Sequence, residues 1–275
     1  MPNDYKLPGN SRINIATEDI GGRHFPLVKV ADGLEIARGN STGLSHVNRF
    51  GATQSVGTTY EDVWSQGGTW VPLAAATTLA VSSSDAADTA AGTGARTLRI
   101  EGLDANHIAI SEDITLAGLT PVITTELFLF VNRAFVLTGG SDLHNVGTIY
   151  IVDDSDTHTA GVPDTPALIQ GNIIAEEGET RLARYTIPDV TGAYLGYLYT
   201  VAGANKVVNF QFWQWDHINN SQRILFEGVT TDTNIAKVYN PPAILSAKTT
   251  ILVRAKVSAG TTLAVAGFDI ILDSN

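Results

Sequence analysis

The feature that most constrains this chain is a regular alternation of apolar and polar side chains, broken at short intervals by turn residues. It is plainest between Arg96 and Leu116. Leu98 and Ile100 alternate with Thr97, Arg99 and Glu101. After Gly102-Leu103-Asp104-Ala105-Asn106, the residues Ile108, Ile110, Ile114 and Leu116 share a face opposite His107, Ser111, Asp113 and Thr115. Successive side chains of a strand point to opposite faces, so a period of two with one apolar face predicts a half-buried strand. The intervening Gly, Asp and Asn supply turn chemistry, and the pair predicts a hairpin. The preceding stretch, residues 82–94, carries only small side chains. It predicts a loop that holds shape or touches a neighbour, with no chemistry of its own.

The same alternation recurs along the chain. It predicts strands over residues 45–50, 59–64, 77–81, 96–101, 108–116, 126–137 and 148–152, and then over 184–187, 193–201, 207–215, 222–227, 235–239, 249–257 and 263–272. Strands at this spacing, separated by Gly, Asn, Asp and Pro, predict sandwiches or jelly rolls. Residues 153–166, DDSDTHTAGVPDTP, are polar and carry two prolines, which predicts a linker. Residues 1–45 are rich in Gly and Pro and sparse in apolar side chains, apart from a short strand candidate over 25–30. The expected fold is therefore all-β: an extended N-terminal arm (1–45), then two β-sandwich, jelly-roll-like domains (46–163 and 167–275). An arm with so little core becomes ordered only by lying on something else.

Composition narrows the function. Hydrophobic residues make up 44% of the 275, enough for a real core, while only 16% are charged. The net charge of -11 and the lack of any basic run argue against binding to a phosphate backbone or an anionic membrane. There is no cysteine, which removes disulfides, thiol catalysis and Cys-containing zinc sites. The first residues contain no apolar stretch of the kind a secretory signal needs, and no run is long enough to span a membrane. The expectation is a soluble protein made in a cytoplasm.

Motif by motif, the chain offers little catalysis. Gly39-Asn40-Ser41-Thr42-Gly43 matches G-x-S-x-G, but the nucleophile elbow needs a strand before it and a helix after it. Asp153, Asp154, Asp156 and His158 only partly follow calcium-loop spacing and are read as a solvated turn. The six histidines show no metal-binding spacing. Neighbouring carboxylates such as Glu61/Asp62 and Glu112/Asp113 face opposite sides of a strand, so they cannot flank one glycosidic bond. The expectation is a non-enzyme with no cofactor and no metal. Trp64 and Trp70 flank Gln66-Gly67-Gly68 and read as a loop pinned by packing. Trp213 and Trp215 share a strand face next to Asp216, and these three are the candidate contacts to a glycan or a subunit.

Three stretches carry a resemblance: GLSHVNRFGATQSVGTTYEDVWSQGGTW, SSSDAADTAAGTGARTLRIEGLDAN and ISEDITLAGLTPVITTELFLFVNRAFV. With the opening ATEDIGGRHFPLVKV and the closing AGFDIILD, they resemble virion structural proteins of tailed bacteriophages, marine phages in particular. The resemblance is most specific over residues 50–136. It implies an assembly role in the virion: a capsid decoration or cement protein, self-associating as a homotrimer and binding the major capsid protein or other virion proteins. The alternative is a tail or fibre component that recognises a host surface glycan.

Overall fold

The computed structural model describes residues 4–6, 12–14, 17–20, 23–26, 33–203, 205–231 and 234–274. The chain forms two compact units, Met1–Thr42 and Gly43–Asn275. In the first, β1 (Asp4–Lys6) pairs with β2 (Arg12–Asn14), and β3 (Thr17–Ile20) pairs with β4 (Arg23–Pro26). A short helix, α1 (Gly33–Ala37), follows. The expected extended arm therefore turns back on itself as two small hairpins. Of the strand candidate over 25–30, the first two residues end β4, and 27–30 lie outside the described residues.

The second unit is all-β and antiparallel throughout. Its strands are β5 (Leu44–Val56), β6 (Glu61–Asp62), β7 (Leu79–Ser83), β8 (Ala95–Leu103), β9 (Ala109–Thr115), β10 (Val122–Ile123), β11 (Phe130–Gly139), β12 (Ile149–Asp153), β13 (His158–Thr159), β14 (Val162–Pro163), β15 (Ile169–Ile173), β16 (Arg184–Thr186), β17 (Gly192–Ala202), β18 (Val207–Asp216), β19 (Ser221–Thr231), β20 (Asn234–Leu245), β21 (Thr249–Val257) and β22 (Thr262–Asp273). Four sheets build the body. Their orders are β20-β17-β22-β5, β16-β21-β18-β19 with β6 also on β21, β10-β7-β12-β15, and β11-β8-β9.

The first two of these sheets share one core. Leu195, Leu198, Phe268 and Ile270 from one meet Phe210, Phe212, Ile251 and Val253 from the other, all fully buried. The last two share a second core, in which Leu98, Ile100 and Ala134 meet Val81, Ile149, Ile151 and Ile173. A fully buried Phe, Leu or Ile contributes roughly 1.5–3 kcal/mol relative to its exposed state, so each core supplies most of the drive that holds its sheets together. A third cluster, containing Trp64, Trp70, Leu103, Phe130, Val152, Ile169 and Leu182, joins the two.

Strand pairing does not follow the division expected at residues 153–166. β5 and β6, expected in the first domain, pair with β22 and β21 at the far end of the chain. The expected linker joins β12 to β15, which are neighbours in one sheet. It forms the β13–β14 hairpin on the way, held where Ser82 Oγ donates to the Gly161 carbonyl at 2.9 Å. Gly161 has φ +76°, and a Cβ there would stand 1.9 Å from the Ser83 carbonyl oxygen. A polar, proline-containing segment looks like a linker in sequence because nothing in it shows that its backbone is bonded to a sheet.

The hairpin of β8 and β9 forms with Leu98 opposite Ile114 and Ile100 opposite Glu112. Ile108, expected on the apolar face, is 57% exposed because it lies in the turn. There the Asp104 carboxylate accepts from the backbone N–H of Asn106 and Ile108, both at 2.8 Å. Those bonds hold Asp104 below the usual carboxylate range. The loop before β8 is built around Asp88, which is fully buried. Its Oδ1 accepts from the N–H of Ala95 and Val146, and its Oδ2 from the N–H of Gly147 and the Ser83 hydroxyl, at 2.6–2.9 Å. A Cβ at Gly94 would stand 2.1 Å from Asp88 Oδ1, which explains a glycine at that place. The small residues of 82–94 thus wrap one carboxylate and hold shape, as expected.

Candidate functional site

Two arrangements are assembled where the two cores meet. One is a buried joint. After β6, the chain turns through Gly67 and Gly68, both at positive φ (71° and 68°), and brings Trp64 and Trp70 into the third cluster. Asp62, itself buried, accepts from Arg254 Nε at 2.9 Å and from the Trp70 backbone N–H at 2.7 Å. Trp70 Nε1 donates to Gln170 Oε1 at 2.9 Å. The Arg184 guanidinium lies 3.8 Å from the centre of the Trp70 ring and 5.3 Å from that of Trp64. Its Nη2 donates to the Gln170 carbonyl at 2.7 Å. Burial pushes Arg184 down to about 9, partly offset by Asp62, so it is still cationic at neutral pH. A cation between two indole faces is a desolvated cation–π arrangement. The loop between the tryptophans is pinned by packing, as the sequence suggested.

Beside Arg184 lies an aromatic patch that includes two histidines. The Phe130 ring lies tilted against His217 at 4.9 Å and against His107 at 5.4 Å, and His217 lies 4.6 Å from Trp215. His217 Nε2 is 2.7 Å from Thr250 Oγ1. Burial, with His107 nearby, pushes His217 down to about 4, and burial lowers His107 as well. Both rings are neutral at pH 7.

The second arrangement is a cleft of about 500 Å³ between β5, the edge strand of its sheet, and the sheet of β8 and β11. Arg49 lies along its floor, with its guanidinium 5.1 Å from the centre of the Tyr185 ring. Arg49 Nη1 donates to the Asn48 carbonyl at 2.8 Å, while its buried Nε has no hydrogen-bond partner. Burial lowers its affinity for a proton. On the far wall Arg133 donates from Nε and Nη2 to Glu179 at 2.6 and 3.1 Å, and its Nη1 is 3.9 Å from Glu101. Asn132 is fixed from behind by two bonds with the backbone of Thr186, at 2.8 and 2.9 Å. The cleft thus presents two guanidinium groups and two carboxylates in balance, a surface suited to polar, hydroxyl-rich groups. Phe50, Glu101, Asn132 and Arg133 all fall in the stretches that carry the phage resemblance, and here they share one cleft.

Trp213, Trp215 and Asp216, the predicted contacts, stand at the end of β18. Trp215 faces the joint, with its ring 6.2 Å from that of Trp70. Trp213 is half-buried; its Nε1 donates to Gln211 Oε1 at 3.1 Å, and Arg254 lies 5.4 Å from its ring. Asp216 accepts from the N–H of Ile218 and Asn219 and from Asn219 Nδ2, which ties the β18–β19 turn and lowers its proton affinity. The structure therefore puts Trp215 at the joint, Trp213 against Arg254 and Asp216 in the β18–β19 turn, and none of the three lines the cleft. In the acidic segment, Asp153, Asp154 and Asp156 accept from Ser155, Thr78, Thr157 and Thr165, and His158 begins β13. Among the described residues no group of three or more His, Cys, Asp or Glu is placed to hold a metal ion. The G-x-S-x-G stretch follows helix α1 and precedes strand β5, the reverse of the order an elbow requires. No helix among the described residues is long and apolar enough to cross a membrane.

The cleft residues escaped the sequence reading because they come from four separate stretches, and alternation within a strand does not say which strands meet. The available signal was the clustering of Glu101, Asn132 and Arg133 on polar faces of otherwise apolar strands.

With this geometry in hand, the class is an all-β protein of four antiparallel sheets around two cores and a polar cleft. No family model matches the chain, and no curated protein does. Among solved structures the chain is similar to the PBSX exported protein XepA, at 14% identity over 98% of this chain and 99% of that one, with a TM-score of 0.19. It is also similar to chains in structures of infectious bursal disease virus. For the Gx strain the identity is 9%, over 84% of this chain and 75% of that one, with a TM-score of 0.20. For the Gt strain it is 11%, over 84% and 77%, with a TM-score of 0.19. Superposition this poor carries no argument about fold or role, and the fold rests on the chain's own strand order.

Proposed function

We propose that this chain is a structural protein of a tailed-bacteriophage virion, most simply a decoration or cement subunit that binds and stabilises the assembled shell. The observation that carries this reading is the nesting of strand pairs. β5 pairs with β22, β16 with β21, β17 with β20, and β18 with β19. Numbered one to eight in chain order, these are pairs 1·8, 2·7, 3·6 and 4·5. The remaining contacts, β17 with β22 and β18 with β21, join 3 to 8 and 4 to 7. A long nested hairpin rolled so that 3 meets 8 and 4 meets 7 is a jelly roll, an architecture common in viral capsid and lectin domains. The second two-sheet layer, β7 to β15, is then a β-sandwich inserted between strands one and two of the roll. Fold alone does not give function; the resemblance of residues 50–136 to phage virion proteins supplies the direction.

In this reading the protein is not an enzyme, needs no cofactor, and acts by mass action: a partner that binds only the assembled shell shifts the equilibrium toward it. Its partners are further copies of itself, as a trimer, and the major capsid protein. The unit Met1–Thr42 is the element that reaches a neighbour, by strand addition or burial. The test is to mix the full chain, and a chain beginning at Gly43, with particles that lack it. The full chain should co-sediment in hundreds of copies per particle, and the shortened one should stay folded but unbound. Normal binding by the shortened chain removes the arm from the mechanism, and a handful of copies per particle places the protein in the tail. A second reading, a tail or fibre subunit that recognises a host surface glycan, is favoured by Tyr197 and Tyr199, whose rings lie 6.0 Å apart on β17 in the β20-β17-β22-β5 sheet.

A further inference from the structure

The outer face of the β20-β17-β22-β5 sheet is open to solvent. Val238 on β20 is 72% exposed, whereas Leu195, Leu198 and Ala193, on the inner face of the adjacent strand β17, are fully buried. At Gly196 the register of β17 slips against both neighbours, so Tyr197 and Tyr199 come out on the same outer face. Their rings lie 6.0 Å apart and within 30° of parallel. Strand register then sets the partners. Tyr197 is beside Asp269, which is beside Asn48; Tyr199 is beside Gly267, which is beside Phe50.

Gly267 shapes the surface. A Cβ there would stand 2.5 Å from Cε1 of Tyr199 and 2.6 Å from its Cζ. The tyrosine ring therefore lies close against the bare backbone of β22, where a side chain at position 267 would displace it. Next to this plate, Asn48 Nδ2 donates to Asp269 Oδ1 at 2.5 Å, and His46 Nε2 is 3.7 Å from the same oxygen. His46, Asn48 and Phe50 also line the cleft, so plate and cleft are continuous over the β5 edge.

We infer that Tyr199, with Tyr197, Asp269, Asn48 and His46, forms a binding platform for a neutral oligosaccharide that continues over β5 into the cleft. A pyranose ring has an apolar face of C–H bonds and a rim of hydroxyl groups. The flat aromatic face matches the first, and an adjacent carboxylate–amide pair, one acceptor and one donor–acceptor, matches two neighbouring hydroxyls on the second. Such a site follows the pattern of an apolar surface with a few convergent polar groups. The charge pattern selects neutral sugars: Asp269 stands in the centre, the rows through Tyr197 and Tyr199 carry no Lys or Arg, and the chain is at -11. An acidic glycan would be repelled. The length of the surface, from Tyr199 to the cleft wall at Glu101 and Arg133, calls for a chain of several sugars. The platform does not depend on where in a particle the protein sits.

The test uses the full chain against neutral oligosaccharides of glucose, galactose, mannose and N-acetylhexosamine, with sialylated and uronate-containing chains for comparison. Binding is read by isothermal titration and by saturation-transfer NMR. At least one neutral oligosaccharide should bind saturably, with tetrasaccharides tighter than monosaccharides, and the acidic chains should not. Tyr199→Ala and Asp269→Asn should each weaken binding about tenfold or more, equivalent to 1.4 kcal/mol or more. Gly267→Ala should do the same by tilting the tyrosine plate. None of these variants should alter co-sedimentation with particles, which separates this test from that of the virion role. The inference is overturned if no neutral glycan binds the native chain, if Tyr199→Ala leaves affinity unchanged, or if Trp213→Ala abolishes binding instead. It is also overturned if the face is covered in a homo-oligomer that Tyr199→Ala dissociates.

Discussion

Replacing Asp88 by Ala tests the loop before β8 most sharply. The carboxylate is fully buried and accepts four hydrogen bonds, three from backbone N–H groups and one from the Ser83 hydroxyl. Its removal leaves the N–H groups of Ala95, Val146 and Gly147 without their acceptor. An unsatisfied buried donor costs about 1–3 kcal/mol. The three are not independent, since water entering the vacated space can reach some of them, so the expected total is about 4 kcal/mol. For a unit of this size each kcal/mol lowers the melting temperature by about 2–4 °C, which gives a fall of roughly 8–16 °C. Asp88→Asn keeps the shape and one oxygen but sets an NH₂ group against the Gly147 N–H; the expected loss is about 2 kcal/mol. Scanning calorimetry of the three proteins at neutral pH measures both. A shift of less than about 2 °C for Asp88→Ala, or an Asn variant less stable than the Ala variant, would refute the view that this carboxylate organises the loop.

Phe268→Ala removes a fully buried ring from the first core and should cost about 3–5 kcal/mol, read from urea unfolding. Arg184→Ala should cost about 3 kcal/mol, because it exposes two indole faces and leaves the Gln170 carbonyl unpaired, whereas Arg184→Met, which fills the slot, should cost clearly less. An equal cost for the two would show that charge, not packing, holds the joint. His217 has its proton affinity lowered in the folded state from an ordinary 6.5 to about 4, so between those values the unfolded chain binds the extra proton. Stability is then full above about 6.5 and falls as pH drops toward 4, with His107 acting in the same direction. His217→Gln should flatten the melting temperature between pH 6.5 and 4 relative to the native chain; parallel curves for the two proteins would contradict this.

Strand positions were legible in the sequence wherever one face met the core and the other met water. The stretch 193–201, read as a strand from its alternation, is β17 with one residue added at each end. β15 was not read as a strand: it is five residues long with a glycine at its centre, and its polar Gln170 and Asn172 are buried in side-chain networks instead of facing water. Partners were not legible at all. Period two says which way a side chain points and nothing about which strand lies beside it, so the pairing of β5 with β22 could not be read, and 153–166 looked like a boundary. The site suffered twice. In the loop before β8, Asp88 takes its donors from residues 95, 146 and 147; at the platform, the slip at Gly196 turns Tyr197 and Tyr199 to the outer face, and the glycine beside Tyr199 lies on another strand. Trp213 and Trp215, conspicuous as large aromatic residues, drew attention to the joint instead.

The nesting of strand pairs has a consequence for how the molecule is made. Of the eight strands, the first to leave the ribosome pairs with the last, so β5 cannot find its place until residues 262–273 have been synthesised. The inserted layer from β7 to β15, by contrast, has its own core and all its mutual strand partners complete long before then. Synthesis therefore gives a settled inner module flanked by a waiting β5, thirteen residues long with both backbone edges unpaired. Such an edge invites pairing with other chains. Long-range closure of this kind is slow, so the β5 edge is the part of the molecule exposed longest during folding.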